Sequence, residues 1–280
     1  MCGGVYSLLA IGFSLIFGAA RILNIAHTAF YMLAAFIVYI IATIYGLSLP
    51  IAIVLALLIP PLIAMGYYKL VIDRVKQHDL AVLIITLALA LLFQEILLIV
   101  FKGHYRAIEP FIPGFAEILG IRISHQYFLS MGGCFATLGI VGIILHRSKL
   151  GNAIRAVSQD MEIASLMGMD VTRVSIATMG ISAALAGVAA VLIAPIFIVE
   201  PMMWMSPLVV VIAAVVLGGL GSIRGSVIGG FILGFAEIAV VTFIPMGSFL
   251  RGVASLVAMV IVLITRPEGL FGVAFEEERL

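Results

Sequence analysis

Seven polar or ionisable side chains interrupt long apolar stretches of the sequence and are the residues best placed to do chemistry there. They are Asn24, His27, Glu95, Glu200, Arg224, Glu237 and Arg251. An ionisable group among apolar neighbours carries a large desolvation cost, so it usually faces a bundle interior, a partner of opposite charge or a water-filled cavity. These residues therefore predict either contacts that hold helices together or the lining of a path for a polar solute.

Asn24 and His27 lie three residues apart, a spacing that places them on one helical face near the cytoplasmic end of the first two apolar stretches. They predict either a hydrogen bond that holds a broken helix against its neighbour or a position along a transport path. Glu95 lies in the middle of another apolar stretch and is a third candidate for the path. For Glu237 and Arg251, an ion pair between adjacent helices is the favoured interpretation.

Glycine is concentrated in the stretch 218–234. Several of these glycines recur every four residues, a spacing that lets two helices approach closely within a membrane. A second interpretation is a helix broken at Gly218, Gly219 and Gly221, whose backbone N–H groups would line the path and meet a carboxylate. The sequence predicts the close packing and leaves the second role open.

Motifs for catalysis and nucleotide binding are absent from the sequence. It contains no HExxH pair, no cluster of His and Cys at the spacing of metal ligands, and no GxxxxGK[ST] loop for ATP phosphates. Two cysteines and a net charge of +1 exclude a disulfide framework and a strongly basic nucleic-acid-binding surface. We therefore expect no enzymatic activity, no cofactor or metal and no nucleic-acid partner.

The elements that position these residues are long apolar segments. The 280 residues are 64% hydrophobic and 10% charged, whereas a soluble domain carries about 25% charged residues. A hydrocarbon core of about 30 Å needs about 20 apolar residues of helix. The predicted spans are 5–22, 26–45, 50–70, 80–101, 126–146, 173–193, 206–220, 225–243 and 250–265. The expected fold is an all-α polytopic membrane bundle of about 8–10 transmembrane helices, some broken or re-entrant, in a single domain over 1–280.

Lysine and arginine are enriched in segments 69–79 and 147–173 and in the C-terminal tail. Alternating spans put these three segments on one side of the membrane, and the positive-inside rule makes that side the cytoplasm. We therefore expect a multi-pass protein of the plasma membrane, in contact with lipid, with a cytoplasmic C-terminus and with loop 102–125 outside.

Segment 148–172 is too polar to span the membrane, yet its apolar residues recur at helical spacing. They are Leu150, Ile154, Val157, Met161 and Ala164. Asn152 and Gly168 suit the start and the end of the helix, which predicts about four turns on the cytoplasmic surface. The helix either docks onto a partner protein or lies in the lipid headgroups.

Four stretches together carry a family resemblance. They are 12–18 (GFSLIFG) with 24–27 (NIAH), 151–157 (GNAIRAV) with 160–168 (DMEIASLMG), 217–225 (LGGLGSIRG) with Gly229 and Gly230, and 266–272 (RPEGLFG). In this order along the chain they resemble the permeases of branched-chain amino acid (LIV-type) ABC importers. Within the second stretch, Glu162-x-Ala164-x-x-x-Gly168 looks like the loop by which such permeases touch their ATPase.

The resemblance implies partners, a substrate class and a set of coupling residues. The partners would be two ATP-binding-cassette ATPase subunits, which would hydrolyse the ATP, a second permease subunit, identical or homologous, and a soluble substrate-binding protein. The substrate would be a branched-chain or other small amino acid, or a related amide, carried across the membrane of a bacterium or archaeon. The residues that would couple to the ATPase are Gly151, Arg155, Asp160, Glu162, Ala164 and Gly168.

The substrate and the class of transporter both have alternatives. Thr28 and Ala29 stand where the family usually has a glycine and an acidic residue, so the particular amino acid is not assigned. The alternative function is an ion-coupled secondary transporter or a channel, which would need an ionisable relay across the membrane. His27, Glu95 and Glu237 are the residues from which such a relay would be built.

Overall fold

The computed structural model describes residues 1–118, 120–244, 247–266 and 268–271, except the side chains of Ile118, Ser248, Phe249 and Arg251. The expected ion pair between Glu237 and Arg251 therefore lies outside the described residues.

The helices are α1 (Cys2–Ala20), α2 (His27–Val38, continued as a π-helix over Tyr39–Ile44), α3 (Leu49–Tyr67, continued through a π-helix over Tyr68–Ile72 into α4, Asp73–Val75), α5 (Asp79–Phe101), α6 (His125–Arg147), α7 (Lys149–Gln159), α8 (Met161–Leu166), α9 (Val171–Ile193), α10 (Met205–Gly218), α11 (Ile223–Phe243) and α12 (Arg251–Thr265), which follows a 3₁₀ turn over Gly247–Leu250. A short hairpin of β1 (Phe115–Ile118) and β2 (Ile121–Ser124) lies between α5 and α6.

The predicted polytopic helical bundle is confirmed. Seven helical segments within the described chain are long and apolar enough to cross a membrane. Two of the predicted spans, 206–220 and 250–265, form the shorter apolar helices α10 and α12. At about 1.5 Å per residue, the 14 residues of α10 reach only about 21 Å. The chain is therefore a multi-pass membrane protein, and α10 is shorter than the thickness of about 30 Å of a hydrocarbon core.

The centre of the bundle is α1, which runs antiparallel to α11. Most residues of α1, α2 and α9 are buried. A Cβ on Gly230 would lie 2.6 Å from the backbone nitrogen of Ser7, and a Cβ on Gly234 would collide with the backbone of Gly3. The hydroxyl of Ser7 donates to the carbonyl of Val227 over 2.8 Å. This is the close packing that the four-residue glycine spacing predicts.

The outer helices leave apolar faces uncovered. In the most apolar part of α3 and of α6, only 22% of the residues are buried within the chain, and in that of α5 only 28% are. Their exposed residues include Leu62, Ile99 and Ile143. Exposed apolar faces of this extent are typical of contact with lipid or with another membrane subunit.

The two ends of the bundle differ in structure. At one end, which we call the coupling end, α7 and α8 follow α6. At the other, the loop end, β1 and β2 pair antiparallel with Phe115 opposite Ser124, and Arg106 and Val199 exchange backbone hydrogen bonds. The hairpin was not predicted from the sequence. Because α6 has 23 residues, about 34 Å of helix separates the hairpin from α7.

Candidate functional site

Segment 148–172 forms two helices and not the single helix of four turns that its periodicity predicts. The chain turns at Asp160, which is extended (φ −151°, ψ 114°) and caps α8 through its carboxylate. Its Oδ1 accepts hydrogen bonds from the backbone N–H groups of Glu162 and Ile163 over 2.8 and 2.9 Å. The start of α7 is capped by Ser148, whose Oγ accepts from the N–H of Gly151, and not by Asn152. An N-cap residue inside the segment thus divides the expected helix.

The first helix of the segment, α7, packs closely on the end of α6. A Cβ on Gly151 would lie 2.5 Å from the carbonyl oxygens of Ile144 and Leu145, so only glycine allows this approach. Ile154 and Val157, which also belong to α7, are buried. Gly151 thus has a packing role that explains its presence independently of any contact with an ATPase.

Arg155 is half-buried and contacts its own helix and the end of α6. Its guanidinium donates to Nδ1 of His146 over 3.1 Å and to Oδ1 of Asn152 over 2.6 Å. The guanidinium can only donate, so His146 accepts through an unprotonated Nδ1. These contacts join α7 to the end of α6, and the predicted contact of Arg155 with an ATPase stays a prediction.

The second helix, α8, presents apolar residues to the outside. Ala164 is buried beneath it, whereas Leu166 is 86% exposed, Met167 is 77% exposed and Ile163 is 59% exposed. Glu162 is exposed beside them. Gly168 follows with φ +83°, the left-handed conformation of a helix end that the sequence predicts at this glycine.

The segment is tied to several helices of the bundle. The Arg21 guanidinium, at the end of α1, donates to the carbonyl of Ser158 over 3.4 Å. After α8, the hydroxyl of Thr172 contacts both Nζ of Lys76 and Oδ1 of Asp73, at 3.3 and 3.4 Å. Lys76 also forms an ion pair with Asp73 at 2.8 Å. A displacement of α7 and α8 would therefore be transmitted through these contacts to α1, α4 and α9.

His27 lies at the junction of α1, α2 and α9 and is fully buried. Its Nε2 donates to the carbonyl of Leu9 over 2.9 Å, and its Nδ1 accepts from the hydroxyl of Ser182 over 2.9 Å. A carbonyl only accepts, so the geometry selects the tautomer with the proton on Nε2. Leu9 lies near the middle of α1, which places His27 at mid-depth and not near the end of the spans as the sequence suggests.

Asn24 does not share a helical face with His27. It belongs to the non-helical segment 21–26, which leads from the end of α1 back into the bundle. Its Nδ2 lies 3.4 Å from the Sδ of Met179, on α9. Its Oδ1 has no hydrogen-bond partner among the described residues, and the same holds for the buried hydroxyls of Ser14 and Thr28. Both predicted residues thus contact α9, but through separate partners.

Glu95 lies on an exposed face of α5. Its Oε1 accepts from Nε2 of Gln94 over 3.3 Å. The buried Gln94 also accepts from Nε1 of Trp204 over 2.8 Å, which ties α5 to the segment before α10. Glu237 is buried on α11, where it accepts from the hydroxyls of Tyr6 and Ser255 over 2.8 and 3.0 Å.

The glycines after α10 form a tight turn that the end of the chain covers. Gly219 and Gly221 have φ of +100° and +81°, and Gly218 packs directly against the backbone of Gly225. The N–H of Leu270 donates to the carbonyl of Leu217, and that of Phe271 to the carbonyl of Gly218. The late segment 268–271 therefore satisfies carbonyl groups that the end of α10 leaves unpaired.

Two cavities lie near these residues, one at each end of the bundle. The cavity at the coupling end measures about 480 Å³ and lies between α1, α6, α7 and α11. The cavity at the loop end measures about 190 Å³ and is largely apolar, with Tyr6, Tyr31 and Glu200 among its lining residues. The Glu200 carboxylate makes no hydrogen bond or ion pair with a described residue.

Known proteins resemble the chain over nearly its whole length. A family model described as the permease component of branched-chain amino acid transport systems matches residues 1–265. The high-affinity branched-chain amino acid transport system permease protein BraD of Pseudomonas aeruginosa is 29% identical, with 96% of this chain and 92% of that protein covered. The LivH permease protein of Escherichia coli K12 is 27% identical over the same shares.

One further permease protein matches at a similar identity. A probable LivH permease protein of Methanocaldococcus jannaschii is 27% identical and covers 96% of this chain, with 89% of its own length covered. Among solved structures, PsaBC from Streptococcus pneumoniae in complex with Fab aligns with a TM-score of 0.47 at 18% identity, over 96% of this chain and 92% of that one, a likeness too distant to define the fold. With a family match over residues 1–265, the chain belongs to the family of permease components of branched-chain amino acid transport systems.

Proposed function

We propose that this chain is the membrane-spanning subunit of an ATP-driven importer for branched-chain amino acids, other small amino acids or related amides. The names of its relatives support the substrate class. The partners are two ATP-binding-cassette ATPase subunits, a second permease subunit and a soluble substrate-binding protein. ATP hydrolysis takes place on the ATPase subunits and not on this chain.

The observation that carries the proposal is the exposed surface of α8. Leu166, Met167 and Ile163 place three large apolar side chains outside the bundle on a segment too polar to span the membrane. Such a patch, with Glu162 at its edge, is typical of a protein interface. We assign it to the ATPase contact. Asp160 and Gly168 act at the two ends of α8, Ala164 anchors the helix, and Gly151 and Arg155 attach α7 to α6.

The orientation follows from this assignment. The coupling segment 148–172 and the C-terminus lie in the cytoplasm, and loop 102–125 lies outside. Two observations support this arrangement: segment 268–271 contacts the turn at Gly218, and that turn lies beside Phe17, near the same end of α1 as Ser158. The whole chain 1–280 forms one permease domain.

The six residues predicted to line the path differ in their exposure to solvent. Gly221 is partly exposed at the end of the bundle, whereas Glu95 lies on the uncovered face of α5 and lines the path where that face meets the second permease subunit. Asn24, His27, Gly218 and Gly219 are buried, and they reach the path only when the bundle rearranges. The loop-end cavity beside Glu200 is the entry point, where a carboxylate among apolar walls suits the ammonium group and aliphatic side chain of the substrate.

Reconstitution tests the proposal. The chain is inserted into liposomes with the permease, ATPase and binding-protein subunits encoded with it, and uptake of radiolabelled leucine, isoleucine and valine is followed. Uptake that requires both ATP on the ATPase side and loaded binding protein on the other side is expected. Uptake by the chain alone, driven by a proton or sodium gradient, would contradict the proposal and favour the secondary transporter.

A further inference from the structure

The cavity at the coupling end has a cationic rim. Arg155, His146, Arg224 and Ser222 line it, and no Asp or Glu is among its lining residues. The Arg155 guanidinium contacts only the neutral groups of His146 and Asn152. The side chain of Arg224 makes no hydrogen bond or ion pair with a described residue. Two guanidinium groups therefore face one cavity, and no carboxylate of the described residues lines it.

A third source of positive potential lies at the same rim. Arg224 is in the first turn of α11, a helix of 21 residues whose N-cap is Ser222. The amino end of a helix carries a partial positive charge and unpaired N–H groups that favour an anion. The amino end of α11 and the two guanidinium groups thus all contribute positive potential to the rim of the cavity, at the end of the bundle.

The wall of the cavity is apolar and extends along α6. Leu138, Val141 and Leu145 of α6 line it, together with Ile11 of α1 and Val227 of α11. From His146 at the rim to Leu138 the helix advances about 12 Å. A ligand that fills this volume needs an anionic head at the rim and a hydrocarbon part about this long below it.

We infer that this cavity binds an anionic phospholipid, with its phosphate between Arg155 and Arg224 and the first carbons of an acyl chain along α6. Basic pockets between transmembrane helices on the cytoplasmic side are suited to such headgroups, and guanidinium groups pair with phosphate oxygens through two parallel hydrogen bonds. The lipid would join α7 to the start of α11. Its effect on transport rests on the proposed function; its binding does not.

Lipid binding to the purified full chain tests the inference without any transport assay. Native mass spectrometry compares retention of phosphatidylglycerol with that of phosphatidylcholine of the same acyl length. We expect one tightly held phosphatidylglycerol per chain and at least a tenfold preference over phosphatidylcholine. Arg224→Gln should lose that preference, whereas Arg147→Gln, which removes an exposed arginine outside the cavity, should keep it.

A second variant tests the apolar part of the site while keeping every charge. A Cβ at Gly142 meets no heavy atom within 4 Å, so Gly142→Leu fills the cavity without a backbone clash and should also displace the lipid. Equal retention of the two lipids, or wild-type retention in both Arg224→Gln and Gly142→Leu, would overturn the inference. Displacement of the lipid by millimolar inorganic phosphate would also overturn it, because the site would then be one for a soluble anion.

Discussion

The imidazole of His27 lies directly against Gly12: a Cβ on Gly12 would come within 2.6 Å of Cε1 and 3.0 Å of Nε2. The same Cβ would lie 3.2 Å from the carbonyl oxygen of Ser182. Gly12 therefore provides the space in which α1, α2 and α9 meet. This relationship gives a physical reason for two of the short motifs, GFSLIFG and NIAH, on which the family resemblance rests.

Gly12→Ala should destabilise the protein by about 1–3 kcal/mol, because the added methyl group displaces a buried, hydrogen-bonded ring. Thermal unfolding of the purified chain in detergent measures the effect. Gly132→Ala is the matched control, since a Cβ on this helical glycine of α6 meets nothing within 4 Å and alanine is the better helix former. An unfolding temperature for Gly12→Ala at or above that of the control would show that the ring is not confined there.

Ser182→Ala removes the hydroxyl that donates to Nδ1 of His27 and leaves that buried nitrogen without this partner. We expect a loss of about 1–3 kcal/mol in the free energy of unfolding, the cost of an unsatisfied buried polar group. Unfolding by sodium dodecyl sulfate, followed by circular dichroism, measures it. In combination with His27→Phe, the Ser182→Ala change should cost much less, because the acceptor is already gone. Additive effects of the two changes would contradict the hydrogen bond.

Gly269→Ala should release the end of the chain from α10. Gly269 has φ +80°, and a Cβ there would lie 2.6 Å from both the nitrogen of Gly219 and the carbonyl oxygen of Val216. Release exposes the bond after Glu268 to a glutamate-specific protease. Mass spectrometry of the C-terminal fragments should detect faster cleavage there than in the wild type, with unchanged cleavage after Glu117. Equal rates after Glu268 would mean that the contact with Gly218 does not hold the segment.

Asp160→Ala should weaken α8 without unfolding the bundle. The change removes the carboxylate that caps the N–H groups of Glu162 and Ile163, a loss of about 1 kcal/mol that matters in a helix of six residues. ATP-driven uptake in proteoliposomes should fall while the thermal unfolding temperature stays within a few degrees. Asp160→Asn keeps a capping oxygen and should transport at nearly the wild-type rate. Equal losses in both variants would assign Asp160 a role in charge and not in capping.

Much of the fold could be predicted from the sequence because it follows from local composition. Uncharged runs of the right length give the spans, and the glycine spacing over 225–234 gives the close packing of α10 and α11 and of α1 and α11. Gly168 could also be predicted as a helix end, since its left-handed conformation depends on residues near it in the chain.

Local signals existed for two features that the prediction missed. Asp160 is a preferred N-cap residue inside an apolar stripe, but the periodicity on both sides of it obscured the break. The alternation of Ile121 and Ile123 after Gly120 is typical of a hairpin strand. The hairpin signal is short and lies within segment 102–125, which was predicted only as a loop outside the membrane.

Other features depend on contacts between distant parts of the chain. The depth of His27 is set by Leu9 and Ser182, and the second of these lies 155 residues away. The contact of Arg155 with His146 joins α7 to α6, and a helical wheel of either helix alone cannot predict it. The cavity between Arg155 and Arg224 likewise requires the bundle to be assembled.

Binding of the ATPase to variants of the exposed patch tests most directly whether the ATPase contacts α8. The ATPase subunit is co-purified with the tagged permease, and its amount is quantified for Leu166→Asp and for Phe115→Asp. Phe115 is an equally apolar, 69% exposed residue of the hairpin at the other end of the bundle, and both variants should fold. We expect at least a tenfold loss of ATPase with Leu166→Asp and wild-type recovery with Phe115→Asp. Full recovery of the ATPase with Leu166→Asp, in a permease that still imports amino acid, would contradict the contact with α8.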